Sequence, residues 1–413
     1  MEHIITSNIM KHATTHNILY PLQFGFRAGR SCETQLTGFI SDLLNSMHNS
    51  EQTDVLVLDM AKAFDKVGHR RLLKKLEYYG IRGSTNKWIN SFLSKRSQTV
   101  VFEGSSSYTA PVKSGVPQGS VLGPCMFLFF MNDLPDALTS QVRLFADDTL
   151  VYLTVNSQDD ANRLQADLNK LAEWGQRWLM EFNAKKCQVL RVTRRRHILE
   201  HQYTLHGKEL ETCTSAKYLG VTISSDLRWN EHVDKVCSKA NKTIGFLRRN
   251  LRVSSPKLKT LAYFSLVRPL VEYAAPAWDP HTERNIKKLE NVQRRAARFV
   301  CNRYNNTSSV SDMIKHLQWP SLQQRREILR LVLLYKIRHN LVHFDISSYL
   351  TPTHGRAHHI HPQGYQIPFS RRDYHLHAFF PRTAKTWNVL PPDIYNAPSV
   401  EAYRHRLTGW LAA

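Results

Sequence analysis

The chain has 413 residues, 42% of them hydrophobic and 22% charged, which is enough apolar material for a buried core and excludes a disordered tail. Lys and Arg number 56 against 34 Asp and Glu, a formal charge of +22; that excess excludes an ordinary neutral enzyme as the default and points to a polyanionic partner. Six scattered cysteines with no C-x-x-C pair argue against a zinc ribbon or a disulfide scaffold, and the apolar run 125–131 is far shorter than the ~20 residues of a membrane span.

Residues 1–50 read as two helices around a polar turn. DVLVLD (54–59) is a continuous apolar run with β-branched residues, the pattern of a buried strand. Helices are predicted over about 70–79, stopped by Gly80, and over 85–95. SQTVVFEGSSSYTAPVKSG reads as a hairpin. VPQGSVLGPCMFLFFMNDL is a Gly/Pro loop feeding an apolar helix, with Pro124 in its first turn. VRLFADDTLVYL reads as strand, two-residue acidic turn at Asp147 and Asp148, and strand. Leu164, Leu168, Leu171, Trp174 and Trp178 have helical spacing, and CQVLRVT and KYLGVTI are predicted strands. Beyond 226 the pattern turns helical, over 229–250, 255–272, 283–303 and 322–340. From about 341 the chain is rich in His, Pro and aromatics, without periodicity.

The charge is uneven. Residues 1–150 carry 15 basic and 13 acidic side chains, residues 151–413 carry 41 and 21, as expected where one region works with cations and another grips phosphate. In the helix 283–303, Ile286, Leu289, Val292, Ala296 and Phe299 form an apolar stripe, while Lys287, Lys288, Arg294, Arg295 and Arg298 crowd the rest of the surface.

The acidic residues supply the chemistry. Asp59 ends a predicted strand and Asp147–Asp148 lie between two others. Adjacent strands would converge the three, and three carboxylates in one place repel unless cations lie between them. Hard oxygen ligands of this kind suit Mg²⁺, and a pair of such ions serves nucleotidyl transfer. A lone acidic turn is more often a solvated hairpin tip; here apolar strand on both sides, FA before and LVYL after, places it in a packed sheet.

In order and spacing, QFGFRAGRSCETQL, LDMAKAFDKVGHRRLLKKL, SGVPQGSVLGPCMFLFFMNDLP, RLFADDTLVY, WLMEFNAKKCQVLRV and KYLGVTI resemble the motif series of reverse transcriptases, in the wording of non-LTR (LINE-type) retrotransposons of the jockey and chicken-repeat kind. VRPLVEYAAPAWDPH and KLENVQRRAARFV resemble the same elements' thumb region. The resemblance starts inside the family's domain, so the chain is expected to be an N-terminally truncated piece. It implies an α+β right-hand polymerase: partial fingers at 1–50, a ferredoxin-like palm at 51–225, a helical thumb at 226–340, and a region of unassigned role at 341–413.

By the same resemblance Asp59, Asp147 and Asp148 are the catalytic carboxylates, joined by the Met60 carbonyl in holding two Mg²⁺ ions, with Mn²⁺ as an alternative. Phe64 is the steric gate that admits dNTPs and rejects ribonucleotides. Gln118 and Gly119 contact the incoming nucleotide, as do Arg27 and Arg30, for which helix capping is the other reading. Lys186, beside Lys185, is the candidate proton donor to pyrophosphate. Tyr218 and Gly220 belong to the primer-grip hairpin, and Lys287, Lys288, Arg294, Arg295 and Arg298 face nucleic acid. The implied partners are an RNA template, a DNA primer and dNTPs within a ribonucleoprotein of the element RNA, without a membrane; the compartment expected is intracellular, nuclear or cytoplasmic. A catalytically inactive nucleic-acid-binding remnant is the alternative. The histidines of the last region (His354, His358, His359, His361, His375, His377) are expected in loops or facing nucleic acid rather than on zinc.

Overall fold

The computed structural model describes residues 1–305, 307–353 and 361–412; His354, His358 and His359 lie outside the described residues. The chain folds as two units, Met1–Ser31 with Glu51–Ala216 and Cys32–Ser50 with Lys217–Ala413. Unit boundaries thus fall after Ser31, after Ser50 and after Ala216.

The first unit is built on a sheet of five strands: β1 (Thr53–Leu58), β2 (Gln141–Phe145), β3 (Asp148–Thr154), β4 (Gln188–Val192) and β5 (Glu211–Cys213), in the order β5-β4-β1-β3-β2. All neighbours are antiparallel except β5 with β4. The helix Leu122–Met131 precedes β2 and the helix Gln158–Trp178 joins β3 to β4. The four strands β1–β4 with these helices follow the β-α-β-β-α-β order of a ferredoxin-like unit, the α+β antiparallel architecture expected. β1 lies between β3 and β4, so Val55, Leu56 and Leu58 are almost fully buried; this is why its sequence is a continuous apolar run and not an alternating one. The helix Leu122–Met131 is buried along nearly its whole length, and its residues share one core with Leu56, Leu58, Val151, Leu164, Leu168 and Leu171. The helix Gln158–Trp178 begins at a reciprocal cap: Ser157 Oγ accepts from the Asp160 N–H and Asp160 Oδ2 accepts from the Ser157 N–H at 3.0 Å.

In the second unit the helix Cys32–His48 is buried on most of its surface. The segment KYLGVTI is not one strand but two, Ser215–Tyr218 and Val221–Ser224, because Leu219 and Gly220 both take positive φ (42° and 83°) and turn the chain. Among the described residues beyond 341 there are four helices the sequence did not announce: Asp373–Leu376, Phe379–Trp387, Pro392–Tyr395 and Val400–Ala412. They close over Leu331, Leu334, Trp387 and Tyr403 in a separate core. Of the histidines named above, the three described ones make ring contacts within the unit. His361 stacks on Tyr395, His375 on His48 and His377 on His281.

Lys75 is an unusual core residue, 4% exposed. Its ammonium lies 3.7 Å from the Trp178 ring centroid and pairs with Asp133. Burial lowers its pKa to about 8, although Asp133 works in the opposite direction. The unfolded chain therefore holds this proton up to its ordinary value near 10.5 while the folded protein has released it, so Lys75 makes stability rise with pH between those values. The difference in Tm between the wild type and Lys75→Met should shift in favour of the wild type from pH 7.5 to 9.5, measured by calorimetry. A constant difference across that range would show that Lys75 stays charged.

Candidate active site

Strand register converges the carboxylates. β1 pairs with β3 up to Leu58 opposite Thr149, and one further step of the same register sets Asp59 against Asp148. β2 returns into β3 with Phe145 opposite Asp148. The two-residue turn is therefore Ala146–Asp147, one residue earlier than the sequence suggested, and Asp148 is the first residue of β3. The shift arises because Ala146 takes the left-handed conformation, φ 57°, which turns the chain before the acidic pair is complete. The Gln23 side chain, 2% exposed, holds this corner: its Oε1 accepts from the N–H of Ala146 and from that of Gly25, each at 2.9 Å.

Asp59 is fixed from the other side. Its carbonyl accepts from the Asn183 N–H and Ala61 donates to the Glu181 carbonyl, both at 2.8 Å, and the Asp59 N–H points to Cys187 Sγ at 3.4 Å. The Met60 carbonyl takes no part in that pair of backbone bonds. Lys186 Nζ lies 3.7 Å from Asp59 Oδ2. Crowding by protein, and then the charges of Asp147 and Asp59, push the Asp148 carboxyl up to about 6, although the residue keeps a solvent-open side. Asp147 is raised as well, by burial first and then by Asp59. Mutual repulsion of this kind is what a divalent cation would relieve.

Phe64 sits on the short helix Ala63–Lys66. Its ring stacks on Phe127 at 4.2 Å, with Phe26 edge-on at 6.1 Å. The ring is thus held by the core from behind and is half-buried. Gln118 is exposed and donates through Nε2 to Asp65 Oδ1 at 3.0 Å. Gly115 and Gly119 both have positive φ (92° and 80°), for different reasons. A Cβ on Gly115 would come within 2.9 Å of the Asp65 carbonyl, whereas one on Gly119 would meet nothing. The close approach at Gly115 is to the protein's own backbone.

Arg27 and Arg30 point into their own loop. Arg27 donates to the Tyr20 carbonyl at 2.8 Å, and Arg30 to the carbonyls of Pro21 and Gln23. Burial, then the neighbouring Arg27 charge, lowers the Arg30 pKa to about 10. Both guanidinium groups are spent on bracing residues 20–23, not on capping a helix.

In the second unit Tyr218 is buried, with its ring edge-on to Phe39 at 5.9 Å and its hydroxyl accepting from Gln35. Tyr218 thus packs into the unit, and Leu219 and Gly220 form the hairpin's turn. There Gly220 faces Tyr273, whose hydroxyl donates to the Leu219 carbonyl at 3.0 Å. On the helix Glu283–Cys301, the face with Leu289, Val292, Ala296 and Phe299 is buried. Lys287 pairs with Glu283 at 2.8 Å, Lys288 with Asp234, and Arg298 donates to the Asn305 carbonyl at 3.3 Å. Arg294 and Arg295 are exposed.

A polymerase-type acidic centre on a ferredoxin-like sheet is the class these features define. The chain belongs to the reverse transcriptase (RNA-dependent DNA polymerase) family, whose sequence model matches residues 1–223. It is 28% identical over 321 residues to the probable RNA-directed DNA polymerase from transposon BS of Drosophila melanogaster, and 27% over 313 residues to the RNA-directed DNA polymerase from mobile element jockey of the same species. These alignments cover 72% and 73% of this chain and 34% of each relative, so the chain spans about a third of the length of the curated relatives it matches. Apo telomerase from Candida tropicalis superposes with a TM-score of 0.44 and 10% identity over 83% of this chain and 54% of that one. The expected non-LTR retrotransposon type thus stands.

Three carboxylates at the ends of the adjacent strands β1 and β3 are the kind of donor set a hard divalent cation takes. Among the described residues, no three His, Cys, Asp or Glu side chains are yet drawn into a closed cage. A cation at these carboxylates competes with the proton that Asp148 takes up below about pH 6. Mg²⁺ or Mn²⁺ should raise the Tm of the wild type at pH 7.5, with the effect fading as pH falls through about 6. Asp59→Asn and Asp147→Asn should lose most of the rise. An equal rise in all three proteins by differential scanning fluorimetry would place the ions elsewhere.

Proposed function

We propose that this chain carries the polymerase core of an RNA-directed DNA polymerase that extends a primer 3′-hydroxyl with dNTPs on an RNA template. The reading rests above all on the β1–β3 register, which converges Asp59 and Asp148 beside the Ala146–Asp147 turn. Family membership and the basic second unit agree with it.

Asp59, Asp147, Asp148 and the Met60 carbonyl would hold two Mg²⁺ ions, or Mn²⁺ in their place; when bound, these supply the charge that lowers the pKa of the primer hydroxyl and steadies pyrophosphate. The chain's own residues do the rest. Lys186, within ion-pair range of Asp59, donates a proton to the departing pyrophosphate. Phe64, backed by Phe127, cannot retreat from the sugar, so a ribose 2′-hydroxyl meets the ring and is rejected by clash. Gln118 exchanges its Asp65 partner for the incoming nucleotide beside the template, with Gly119 next to it. Arg27 and Arg30 contribute to nucleotide binding through the loop they brace. The exposed Arg294 and Arg295, with Lys287, Lys288 and Arg298 on the same helix and the Gly220 turn, hold duplex phosphates by charge and shape. The setting is a ribonucleoprotein of the element's RNA in the nucleus or cytoplasm. No helix among the described residues is long and apolar enough to cross a membrane.

Primer extension on poly(rA)/oligo(dT) with dTTP and Mg²⁺ tests the reading. Incorporation should fall by about 10²–10³-fold or more in Asp147→Asn. No incorporation by the wild type, together with salt-sensitive binding of the same duplex, would leave a nucleic-acid-binding protein without turnover. On the same template, Phe64→Val should lower discrimination against rUTP by at least about tenfold while dTTP use persists. Unchanged discrimination would move the gate to another residue.

A further inference from the structure

We propose that Gln23 is a positioning residue for the catalytic carboxylates. Its side chain sets the peptide that carries Asp147 and thereby the direction from which Asp147 and Asp148 meet a cation. The inference rests on the polymerase reading for its consequence, but its evidence is the local geometry.

Residues 22–24 run alongside the end of β2. Leu144 donates to the Leu22 carbonyl at 3.0 Å and Phe24 donates to the Leu144 carbonyl at 2.8 Å, so the loop is already docked when the chain reaches the turn. Ala146 holds the left-handed φ of 57°, which disfavours a residue with a Cβ. Such a conformation persists only where its surroundings impose it. Gln23 supplies that surrounding: Oε1 takes the Ala146 N–H at 2.9 Å and Nε2 reaches the Ala146 carbonyl at 3.4 Å. One amide therefore grips both polar groups of the residue directly before Asp147. The grip is buried, so losing it leaves a backbone N–H without a partner and without water.

The fit of the loop is tight. A Cβ on Gly25 would come within 2.3 Å of the Ala146 nitrogen. Arg27 and Arg30, bonded to the carbonyls of Tyr20, Pro21 and Gln23, stiffen the loop from the other side. In this arrangement the motif QFGFRAGR acts as a splint on the acidic turn.

The test compares the wild type with Gln23→Met, which keeps the length and removes the hydrogen bonds, and with Gly25→Ala, which pushes the loop off the turn. Hydrogen–deuterium exchange of the segment 144–149 should speed up in both variants while exchange in the helix 158–178 stays as in the wild type. Mn²⁺ binding, measured by titration calorimetry, should weaken about tenfold. In primer extension kcat should fall by about 10²-fold, as for an ångström-scale misplacement, with the KM for dTTP changed less than threefold. Gln23→Met with wild-type exchange, Mn²⁺ affinity and kcat would overturn the proposal, as would equal speeding of exchange across the whole first unit. If the wild type extends no primer, the polymerase reading fails on its own, and exchange and Mn²⁺ affinity still decide the role of Gln23. If Gln23→Met does not fold, Gly25→Ala decides alone by the same readouts.

Discussion

Like charge held together by a buried sheet is the constraint on which the first unit depends. Asp59, Asp147 and Asp148 repel one another, and burial first, then the charges of Asp147 and Asp59, raises Asp148 to about 6. Nothing about these residues draws them together. What does so is the ladder behind them: Leu56, Leu58, Leu150 and Val151 are almost fully buried, each contributing ~1.5–3 kcal/mol, and a slip of one residue would exchange the two buried faces and misfit the packing on both. The register is enforced by the core, and the carboxylates follow from the register. The Asp59 backbone, bonded to Asn183 and Cys187, and the Ala146 corner, bonded to Gln23, then fix the two ends where the ladder no longer reaches.

Much of this was legible in the sequence where the signal was local. The continuous apolar run of β1, the strands on either side of the acidic pair and the helix carrying Leu164 to Trp178 follow from burial and period, and each forms about where its pattern predicts. The acidic turn was placed one residue late. Sequence patterning marks the Asp pair as polar, but it does not reveal that Ala146 adopts a left-handed angle, because that angle is imposed by a glutamine 123 residues away. Gln23 itself carries no signal beyond its place in a recognisable motif. An uncharged amide in a loop resembles any solvated side chain until its buried partners are known.

The second unit shows the same limit on a larger scale. The helix Cys32–His48 reads as an ordinary amphipathic helix, yet it is buried on most of its surface, so it needs cover from several directions. That cover comes from far along the chain: Tyr349 bonds Asp42, Tyr374 bonds the Met47 carbonyl, His375 bonds Asn45 and Tyr218 accepts from Gln35. A reading that divides the chain by composition shifts assigns this helix to its sequence neighbours. The four helices beyond 341 were invisible for a related reason. Two have four residues and one has nine, too short for a hydrophobic period to show; the fourth has 13, and Phe379, Phe380, Trp387 and Tyr403 from these helices pack into a common core.

The basic residues divide between two physical roles that composition alone cannot separate. A guanidinium is as good at bracing a loop as at binding phosphate, since both uses present planar N–H donors to oxygen. Arg27 and Arg30 donate to backbone carbonyls, whereas Arg294 and Arg295 stand exposed on a helix whose opposite face is core. The first pair therefore shapes the loop that touches the acidic turn, and the second pair presents charge open to solvent. Salt separates the two. Screening weakens an exposed cation's attraction for phosphate but barely touches a hydrogen bond to a half-buried carbonyl. Under the proposed function, grip on a duplex and geometry at the carboxylates are accordingly built from the same residue type, but they respond to different conditions.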